Sequence, residues 1–345
     1  MSTETSVIKA RDEEAAKVAK PKGPLSGLLT NQTFILCIVL VVMIAFFSAL
    51  NSKFFSVGVF GNILVDWAPI ALIAVGQLFV IVSGGIDLSV GSTLTISGVV
   101  AAFAMQGATG SGVSDPVAIL IGVVVAVATG AVVGLINAAL INLAGLVPFI
   151  ATLVTLGAGA GMALVLSKGA PIAGGPPSAI ALSVPWLGPL SWPGITVILV
   201  IVIAGLFLHK ARFGRYVFAI GGNAFAAKAV GIGVKKQLTF VYTLSGMLAG
   251  LAGMVVYLTL GAGSPSSGAG RELLAIAAVV IGGASLSGGS GTMSGTVLGS
   301  LILTTVTSGL IVINIDPNWN QVVVAVIIAI AVALQMLRKS NRRTA

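Results

Sequence analysis

The sequence predicts an all-α integral membrane protein with about ten transmembrane helices, because of its composition and its recurring apolar runs. Of the 345 residues, 57% are hydrophobic and 8% are charged, and the mean hydropathy is +1.12. An ordinary soluble domain carries about 25% charged residues. Runs such as residues 34–50 and 119–143 have roughly the 17 to 25 residues that cross a bilayer as a helix. Little sequence remains for a soluble domain.

The positive charges predict which side of the membrane each loop occupies. Most Lys and Arg residues fall into three blocks, at residues 9–22, 210–236 and 338–343. The positive-inside rule places all three blocks in the cytoplasm and the remaining cations, Lys53, Lys168 and Arg271, near the outer face. Both termini are then cytoplasmic and the number of spans is even. The net charge of +9 therefore indicates membrane orientation and not a nucleic-acid partner.

Ten spans fit this parity, and a count of eight or nine requires some of the shorter segments to be re-entrant. The membrane domain covers residues 32–337, between cytoplasmic tails at residues 1–31 and 338–345. A Pro-rich connection at residues 167–194 lies outside, and a basic connection at residues 210–236 lies inside. The predicted spans are residues 32–50, 59–82, 90–106, 117–143, 147–166, 195–209, 237–259, 272–285, 293–314 and 320–337.

Two Gly- and Ser-rich stretches predict an internal repeat. Residues 84–92 (GGIDLSVGS) align with residues 282–290 (GGASLSGGS) at an offset of 198, with six of nine positions identical. Two interpretations stay open. The stretches are either helix breaks at membrane depth that line a substrate path, or cytoplasmic turns in which Asp87 caps the next helix. The predicted breaks lie at Gly84, Gly85, Gly282 and Gly283.

The polar residues of the predicted spans are few and mostly amides. Amides both donate and accept hydrogen bonds, which suits a neutral polyhydroxylated solute. A charge at membrane depth is a candidate functional group because it costs about 2.5 to 3.5 kcal/mol at a helix centre. The candidate pathway residues are Asn62, Asp66, Gln77, Asp87, Asn137, Asn142 and Asn314.

The chain lacks the residues of an enzyme or an ATPase. It contains no G-x-x-x-x-G-K-[ST] phosphate loop, one His, one Cys and no H-E-x-x-H motif, so catalysis, metal binding and ATP hydrolysis on this chain are not expected. The inner connection instead contains a short helix-favouring piece, residues 224–230. Glycines at 221, 222, 231 and 233 bracket this piece. We interpret it as a helix that docks into a cleft of a cytoplasmic partner; the alternative is a solvated loop whose cations only follow the positive-inside rule.

Three motifs resemble the permease subunits of bacterial ATP-binding-cassette sugar importers, in the ribose, xylose and galactose branch. They are GQLFVIVSGGIDLSVGS (76–92), RFGRYVFAIGGNAFAAKAVGI (212–232) and ELLAIAAVVIGGASLSGGSGTMSGTVLG (272–299). The resemblance extends over about residues 34–338. It implies a multi-pass protein of the cytoplasmic (inner) membrane that pairs with a second permease copy, identical or not. It also implies an ATPase on a separate chain, which binds ATP and Mg, and an extracytoplasmic sugar-binding protein.

Carried over residue by residue, the resemblance marks the inner connection as the ATPase-coupling segment. Ala226, Ala227 and Gly231 match its Ala-Ala and Gly positions, and Phe225 stands where the family has an acidic residue. The full set of expected coupling residues is Gly221, Gly222, Asn223, Ala226, Ala227, Gly231 and Gly233. The function that follows is alternating-access import of a monosaccharide. The alternative is an ion-coupled secondary transporter that uses Asp66 and Asp87.

Overall fold

The computed structural model describes residues 32–316 together with residues 319, 322–323, 325–327 and 329. Within this part every regular element is helical, and eight helices are long and apolar enough to cross a membrane. In chain order the helices are α1 (Gln32–Leu50), α2 (Val57–Val82), α3 (Val90–Gly110), α4 (Asp115–Asn142), α5 (Pro148–Ser167), α6 (Trp192–His209), α7 (Arg212–Gly222), α8 (Ala224–Ala229), α9 (Val234–Leu260), α10 (Arg271–Ile281) and α11 (Met293–Val312). Short 3₁₀ turns occur at Ser52–Phe54 and Pro177–Ser183.

The predicted polytopic α fold is confirmed, and one predicted span differs from the structure. Residues 272–285 were expected to cross the membrane as a helix, but α10 has 11 residues and is only about 16 Å long at 1.5 Å per residue. The Ser- and Gly-rich stretch before it cannot continue α9, because Gly261 and Gly270 both adopt positive φ, at 70° and 77°. The predicted span 320–337 lies mostly outside the described residues.

The two ends of the bundle are identified by contacts between distant helices. At one end, the Gln32 amide of α1 donates to Ile281 O at 3.2 Å, and Met293 N of α11 donates to His209 Nε2 at 3.2 Å. The basic residues that follow α6 lie at this end, which we call the inner end. At the opposite, outer end, the Asn51 amide donates to Val312 O at 2.8 Å. Helices α1 and α11 therefore run parallel, from the inner to the outer end.

Close glycine contacts hold α4 against α9. A Cβ added at Gly130 would overlap the carbonyl oxygen of Gly246, and one added at Gly134 would overlap that of Tyr242. Small residues in membrane helices allow backbones to approach closely and pack. The two helices therefore pack backbone to backbone, and α2 occupies the centre of the bundle with its residues from Trp67 onwards buried.

Candidate functional site

The first Gly-rich stretch ends α2 and then enters the bundle as a non-helical segment. Gly84 N donates to Ile81 O at 2.9 Å and Gly85 N donates to Val80 O at 3.0 Å, which is the hydrogen-bond pattern of a glycine C-cap. Gly84 has φ 88°, a conformation that favours glycine. Residues 85–88 then have no helical structure, and α3 begins at Val90.

The position of Asp87 gives the depth of this segment. Its Oδ2 accepts a hydrogen bond from Ser245 Oγ at 2.9 Å, and Ser245 lies eleven residues after the start of α9, about 16 Å along that helix. With its amide oriented to suit both partners, Gln77 of α2 donates to Asp87 O at 3.0 Å and accepts from Asp87 N at 3.2 Å. The segment therefore lies inside the bundle and not at its inner surface.

The carboxylate of Asp87 is fully used by the protein. It is 1% exposed, and its Oδ1 accepts from Ser89 N at 2.9 Å and from Ser89 Oγ at 2.6 Å. With Ser245 it has three donors, and hydrogen bonds to a charged group contribute about 1.5 to 3 kcal/mol each. A buried carboxylate requires this degree of satisfaction. In this conformation no transported solute reaches it.

The same hydrogen bonds continue to α4 and α5. Asn137 Nδ2 donates to Ser89 Oγ at 2.7 Å, and Thr155 Oγ1 donates to Asn137 Oδ1 at 2.5 Å. We call the connected set the Asp87 network; its members are Gln77, Asp87, Ser89, Asn137, Thr155 and Ser245. It joins α2, α4, α5 and α9 to the broken segment. Three of the seven candidate pathway residues, Gln77, Asp87 and Asn137, are thus buried together.

Two further candidate pathway residues lie at opposite ends of the bundle. Asn142 donates to Lys235 O at 2.9 Å and to Thr239 Oγ1 at 3.0 Å, and so links the inner ends of α4 and α9. Asn314 is exposed in the turn after α11, with φ 61°. Neither contacts the Asp87 network through the hydrogen bonds that the structure describes.

Asn62 and Asp66 lie one turn apart on an exposed face of α2. Arg271, the first residue of α10, interacts electrostatically with Asp66. The sequence had placed Arg271 near the outer face, with Lys53 and Lys168. It lies ten residues before the inner end of α10, so it is well within the bundle. The available signal was that Arg271 directly follows a Gly- and Ser-rich stretch, residues 261–270, and precedes an apolar run.

The second Gly-rich stretch repeats the cap of the first but not its path. Gly283 has φ 89° and donates to Val280 O at 2.9 Å, as Gly84 does to Ile81 O. This equivalence gives an offset of 199, one more than the sequence alignment. The chain then turns back on itself, because Ser285 N donates to Ser290 O at 3.0 Å. The two stretches share a cap, while only the first enters the bundle.

Both stretches meet the end of α7 through backbone contacts. Gly289 N donates to Val82 O at 2.9 Å. A Cβ added at Gly221 would overlap Val82 O and would lie 2.6 Å from Gly289 N, and one added at Gly288 would lie 2.9 Å from Gly84 Cα. We call this contact of Gly84, Gly221 and Gly289 the inner junction. It ties the basic inner connection directly to the first helix break and to the turn that follows the second.

Helix α8 extends from the inner junction and presents apolar side chains to solvent. The Asn223 side chain caps it by accepting from Ala226 N at 2.9 Å, and Gly231, with φ 86°, ends it. Ala227 is buried, whereas Phe225 is 84% exposed and Val230 is 77% exposed. Exposed apolar groups beside basic residues such as Lys228 form a surface suited to a protein partner.

The remaining expected coupling glycines have room for a side chain. A Cβ added at Gly222 would meet nothing within 4 Å, and one added at Gly233 would meet only the Lys236 side chain at 3.8 Å. Among the residues that the structure describes, no group of His, Cys, Asp and Glu could hold a metal ion.

Comparison with known proteins identifies the kind of protein. A family model described as "Branched-chain amino acid transport system / permease component" matches residues 59–332. The ribose import permease protein RbsC of Escherichia coli (strain K12) is 40% identical over 300 residues, 86% of this chain and 91% of that protein. RbsC of Bacillus subtilis (strain 168) is 40% identical over 320 residues, 92% of this chain and 93% of that protein.

The D-allose transport system permease protein AlsC of Escherichia coli (strain K12) is 35% identical over 320 residues, 92% of this chain and 96% of that protein. No solved structure matches the chain. The family match extends from α2 to beyond α11 and includes both helix breaks and the inner junction. The chain therefore belongs to the family of transport-system permease components.

Proposed function

We propose that this chain is the membrane-spanning subunit of an ATP-driven importer that carries a monosaccharide across the cytoplasmic membrane. The observation that supports this most directly is the inner junction. Gly221 joins α7 and the exposed α8 to the end of α2 and to the turn after α10 without intervening side chains. A displacement of α8 is then transmitted to the first helix break and to the turn after the second, because interior packing is too close to absorb it.

The partner that moves α8 is a cytoplasmic ATPase, which binds ATP and Mg on its own chain. Phe225 on α8 and Val230 directly after it are exposed, and burying such side chains against a partner contributes about 1.5 to 3 kcal/mol each. Phe225 replaces the acidic residue of the sugar-importer pattern, so the contact at this position is apolar and not ionic. Lys228 and the neighbouring basic residues complement acidic groups on the partner.

Coupling requires that the ATPase bind two conformations of the permease with different affinities. In the mechanism we propose, nucleotide-dependent closure of the ATPase displaces α8, and the inner junction shifts α2 relative to α10. The membrane path then opens alternately to each side. An extracytoplasmic sugar-binding protein delivers the solute, and a second permease copy completes the path.

The choice of a sugar depends on the names of the relatives. Ribose and D-allose permeases match nearly the full chain, whereas the family description names branched-chain amino acids. We favour a pentose or hexose because whole-chain relatives at 35–40% identity carry sugar names. The ion-coupled alternative is less favoured, because the Asp87 carboxylate is occupied by three protein donors.

The experiment is purification of the tagged permease from its own cells, with identification of the proteins that co-purify and measurement of sugar uptake. We expect an ATPase subunit with phosphate-loop motifs to co-purify with the wild-type chain. Phe225→Ala should lose most of this ATPase and most ATP-dependent uptake of ribose or allose.

Phe55→Ala is the matched control, because Phe55 is 69% exposed but lies near the outer end, between α1 and α2. It should retain both the ATPase and uptake. Equal ATPase recovery and equal uptake in the two variants would refute docking at α8. Uptake that persists without an ATPase but collapses with an ionophore would favour the ion-coupled alternative.

A further inference from the structure

A cluster of aromatic rings joins α6, α7 and α9 at the inner end of the bundle. Phe213, near the start of α7, stacks on Phe207 of α6 with ring centroids 4.6 Å apart and lies edge to face with Phe240 of α9 at 6.4 Å. Its ring is also 6.0 Å from that of Phe79, which is buried in α2. The Gln237 amide of α9 donates to Phe213 O at 3.0 Å. Phe213 therefore lies between α6 and α9 and against α2. We call these four rings the Phe213 cluster.

Two rings of the Phe213 cluster are exposed on helices that cross the membrane. Phe207 is 42% exposed and Phe240 is 54% exposed. Phe207 lies two residues before the end of α6 at His209, about 3 Å along the helix axis. Phe240 lies six residues after the start of α9 at Val234, about 9 Å along the axis. Both rings therefore lie near the inner boundary of the hydrocarbon core.

A lysine lies one helical turn from each exposed ring, on the side nearer the inner end. Lys210 follows Phe207 by three residues and continues α6 with αR geometry. Lys236 precedes Phe240 by four residues in α9. Residues three or four apart lie on the same face of a helix. Each face therefore changes from an aromatic ring to a cation as it leaves the membrane.

The positive charge beside the cluster has no acidic counterpart nearby. Lys210, Lys236 and Arg212, which directly precedes Phe213, are all exposed. Residues 207–240 contain no Asp and no Glu. None of the three cations has an ion-pair partner in the part of the chain that the structure describes. Three uncompensated cations at one level favour an anionic ligand.

An anionic phospholipid has the chemistry that this surface requires. Its phosphate would lie at the level of the cations and its acyl chain beside the exposed rings. Basic pockets between membrane helices on the cytoplasmic side bind anionic headgroups in this way. A soluble anion would satisfy the cations but would leave Phe207 and Phe240 without a role. We infer that the Phe213 cluster, together with Lys210, Arg212 and Lys236, binds an anionic phospholipid of the inner leaflet.

The lipid would also hold α7 in place. A Cβ added at Gly214 would overlap Leu208 O, so α7 packs closely against the end of α6. Gly221 of the inner junction lies eight residues after Phe213 on the same helix, about 12 Å away. A lipid that fixes Phe213 therefore restricts the movement of Gly221. An effect of the lipid on sugar import rests on the proposed function, whereas the binding of the lipid does not.

The test is lipid binding by the purified permease together with the subunits that co-purify with it. Native mass spectrometry measures the binding of dioleoyl phosphatidylglycerol. Dioleoyl phosphatidylcholine, with the same acyl chains and a zwitterionic headgroup, is the comparison lipid. Lys210→Gln combined with Lys236→Gln removes two cations of the site. Lys53→Gln combined with Lys168→Gln is the matched control, because it removes the same charge from exposed residues of the connections after α1 and α5.

We expect the wild-type protein to bind phosphatidylglycerol at least tenfold more tightly than phosphatidylcholine. The Lys210 and Lys236 double variant should lose most of this preference, because each cation near an anionic headgroup contributes to binding. The control should keep the preference, and size-exclusion profiles identify folded variants. Equal affinity of the wild-type protein for the two lipids, or equal phosphatidylglycerol affinity of the two double variants, would refute the site.

A second pair of variants separates a lipid from a soluble anion. Phe240→Ala should weaken phosphatidylglycerol binding several-fold, because it removes an apolar contact with the acyl chain. Phe46→Ala is the control, since Phe46 is 57% exposed on α1. Unchanged binding by Phe240→Ala would show that the cations recognise an anion alone and would overturn the assignment to a lipid.

A second arm tests the consequence for transport. The whole importer is reconstituted in phosphatidylcholine vesicles with and without phosphatidylglycerol, and ATP-driven uptake of ribose or allose is measured. Phosphatidylglycerol should raise uptake several-fold for the wild-type chain and much less for the Lys210 and Lys236 double variant. Specific lipid binding with unchanged uptake would refute the link to the inner junction. Absence of uptake of both sugars in every vesicle would refute the proposed substrate and leave the lipid site established.

Discussion

Adding one methyl group at Gly221 should uncouple the permease, while the same change at the next residue should not. A Cβ at Gly221 would overlap Val82 O and would lie 2.6 Å from Gly289 N, both backbone atoms, whereas a Cβ at Gly222 meets nothing within 4 Å. Backbone cannot rotate away as a side chain does, so α7 must move relative to α2. Overpacking of this kind typically costs about 1 to 3 kcal/mol.

In the proposed mechanism α7 and α2 move relative to each other, so this cost changes the equilibrium between the two transport conformations. If the junction is tight in only one of the two transport states, about 1 to 3 kcal/mol shifts their ratio roughly 5- to 150-fold. Gly221→Ala should therefore lower ATP-dependent uptake by at least fivefold. Co-purification of the ATPase should persist, because Phe225 and Val230 are unchanged.

The assay compares both variants in the same cells, with uptake and ATPase recovery normalised to permease content. Gly222→Ala should import at a rate close to wild type. Wild-type uptake by Gly221→Ala would refute transmission through the inner junction. Loss of the ATPase from Gly221→Ala would instead show that the junction shapes the docking surface and does not relay its movement.

Three further outcomes follow from the geometry. Asp87→Ala leaves three buried donors without an acceptor, and each costs about 1 to 3 kcal/mol, so the yield of folded protein after detergent extraction should fall sharply. Asp87→Asn keeps the shape of the side chain and should lower the yield less. A lower yield for Asp87→Asn than for Asp87→Ala would contradict the Asp87 network. Gly246→Leu should prevent the close contact of α9 with α4 and abolish folding. Gly157→Leu should fold, because a Cβ at Gly157 meets nothing within 4 Å. Size-exclusion profiles of the two purified variants would report the difference. Asp66→Asn and Arg271→Gln should each leave one uncompensated charge at membrane depth, so the double variant should be recovered in higher yield than either single variant; additive losses would show that the two charges act independently.

The span predictions succeeded where the signal was local. Hydropathy located α1 to α6, α9 and α11 to within a few residues, because a lipid-crossing helix must be apolar over its whole length. The prediction for residues 272–285 was wrong in extent. Hydropathy reports which residues avoid water and does not report that Gly261 and Gly270 turn the chain between α9 and α10.

The candidate site residues also show what local sequence can and cannot predict. The sequence marked Asp66 and Asp87 with equal weight, since each is a carboxylate next to or within an apolar run. Packing separates them: Asp87 is enclosed by donors from Ser89 and Ser245, while Asp66 faces outward beside Arg271. Solvent access depends on which helices become neighbours, and no local pattern encodes it.

The sequence by itself determined that this protein is a multi-pass membrane permease, and it predicts that the basic inner connection is cytoplasmic. Composition, charge placement and three motifs suffice for that, because transfer into lipid depends on each segment's own residues. Only the tertiary structure decided that Gly221 meets the end of α2 and the turn after α10, and that the Asp87 carboxylate is buried among three protein donors. Both depend on contacts between residues far apart in the sequence, such as Gly221 with Val82 and Ser245 with Asp87, and such contacts exist only once the helices have packed.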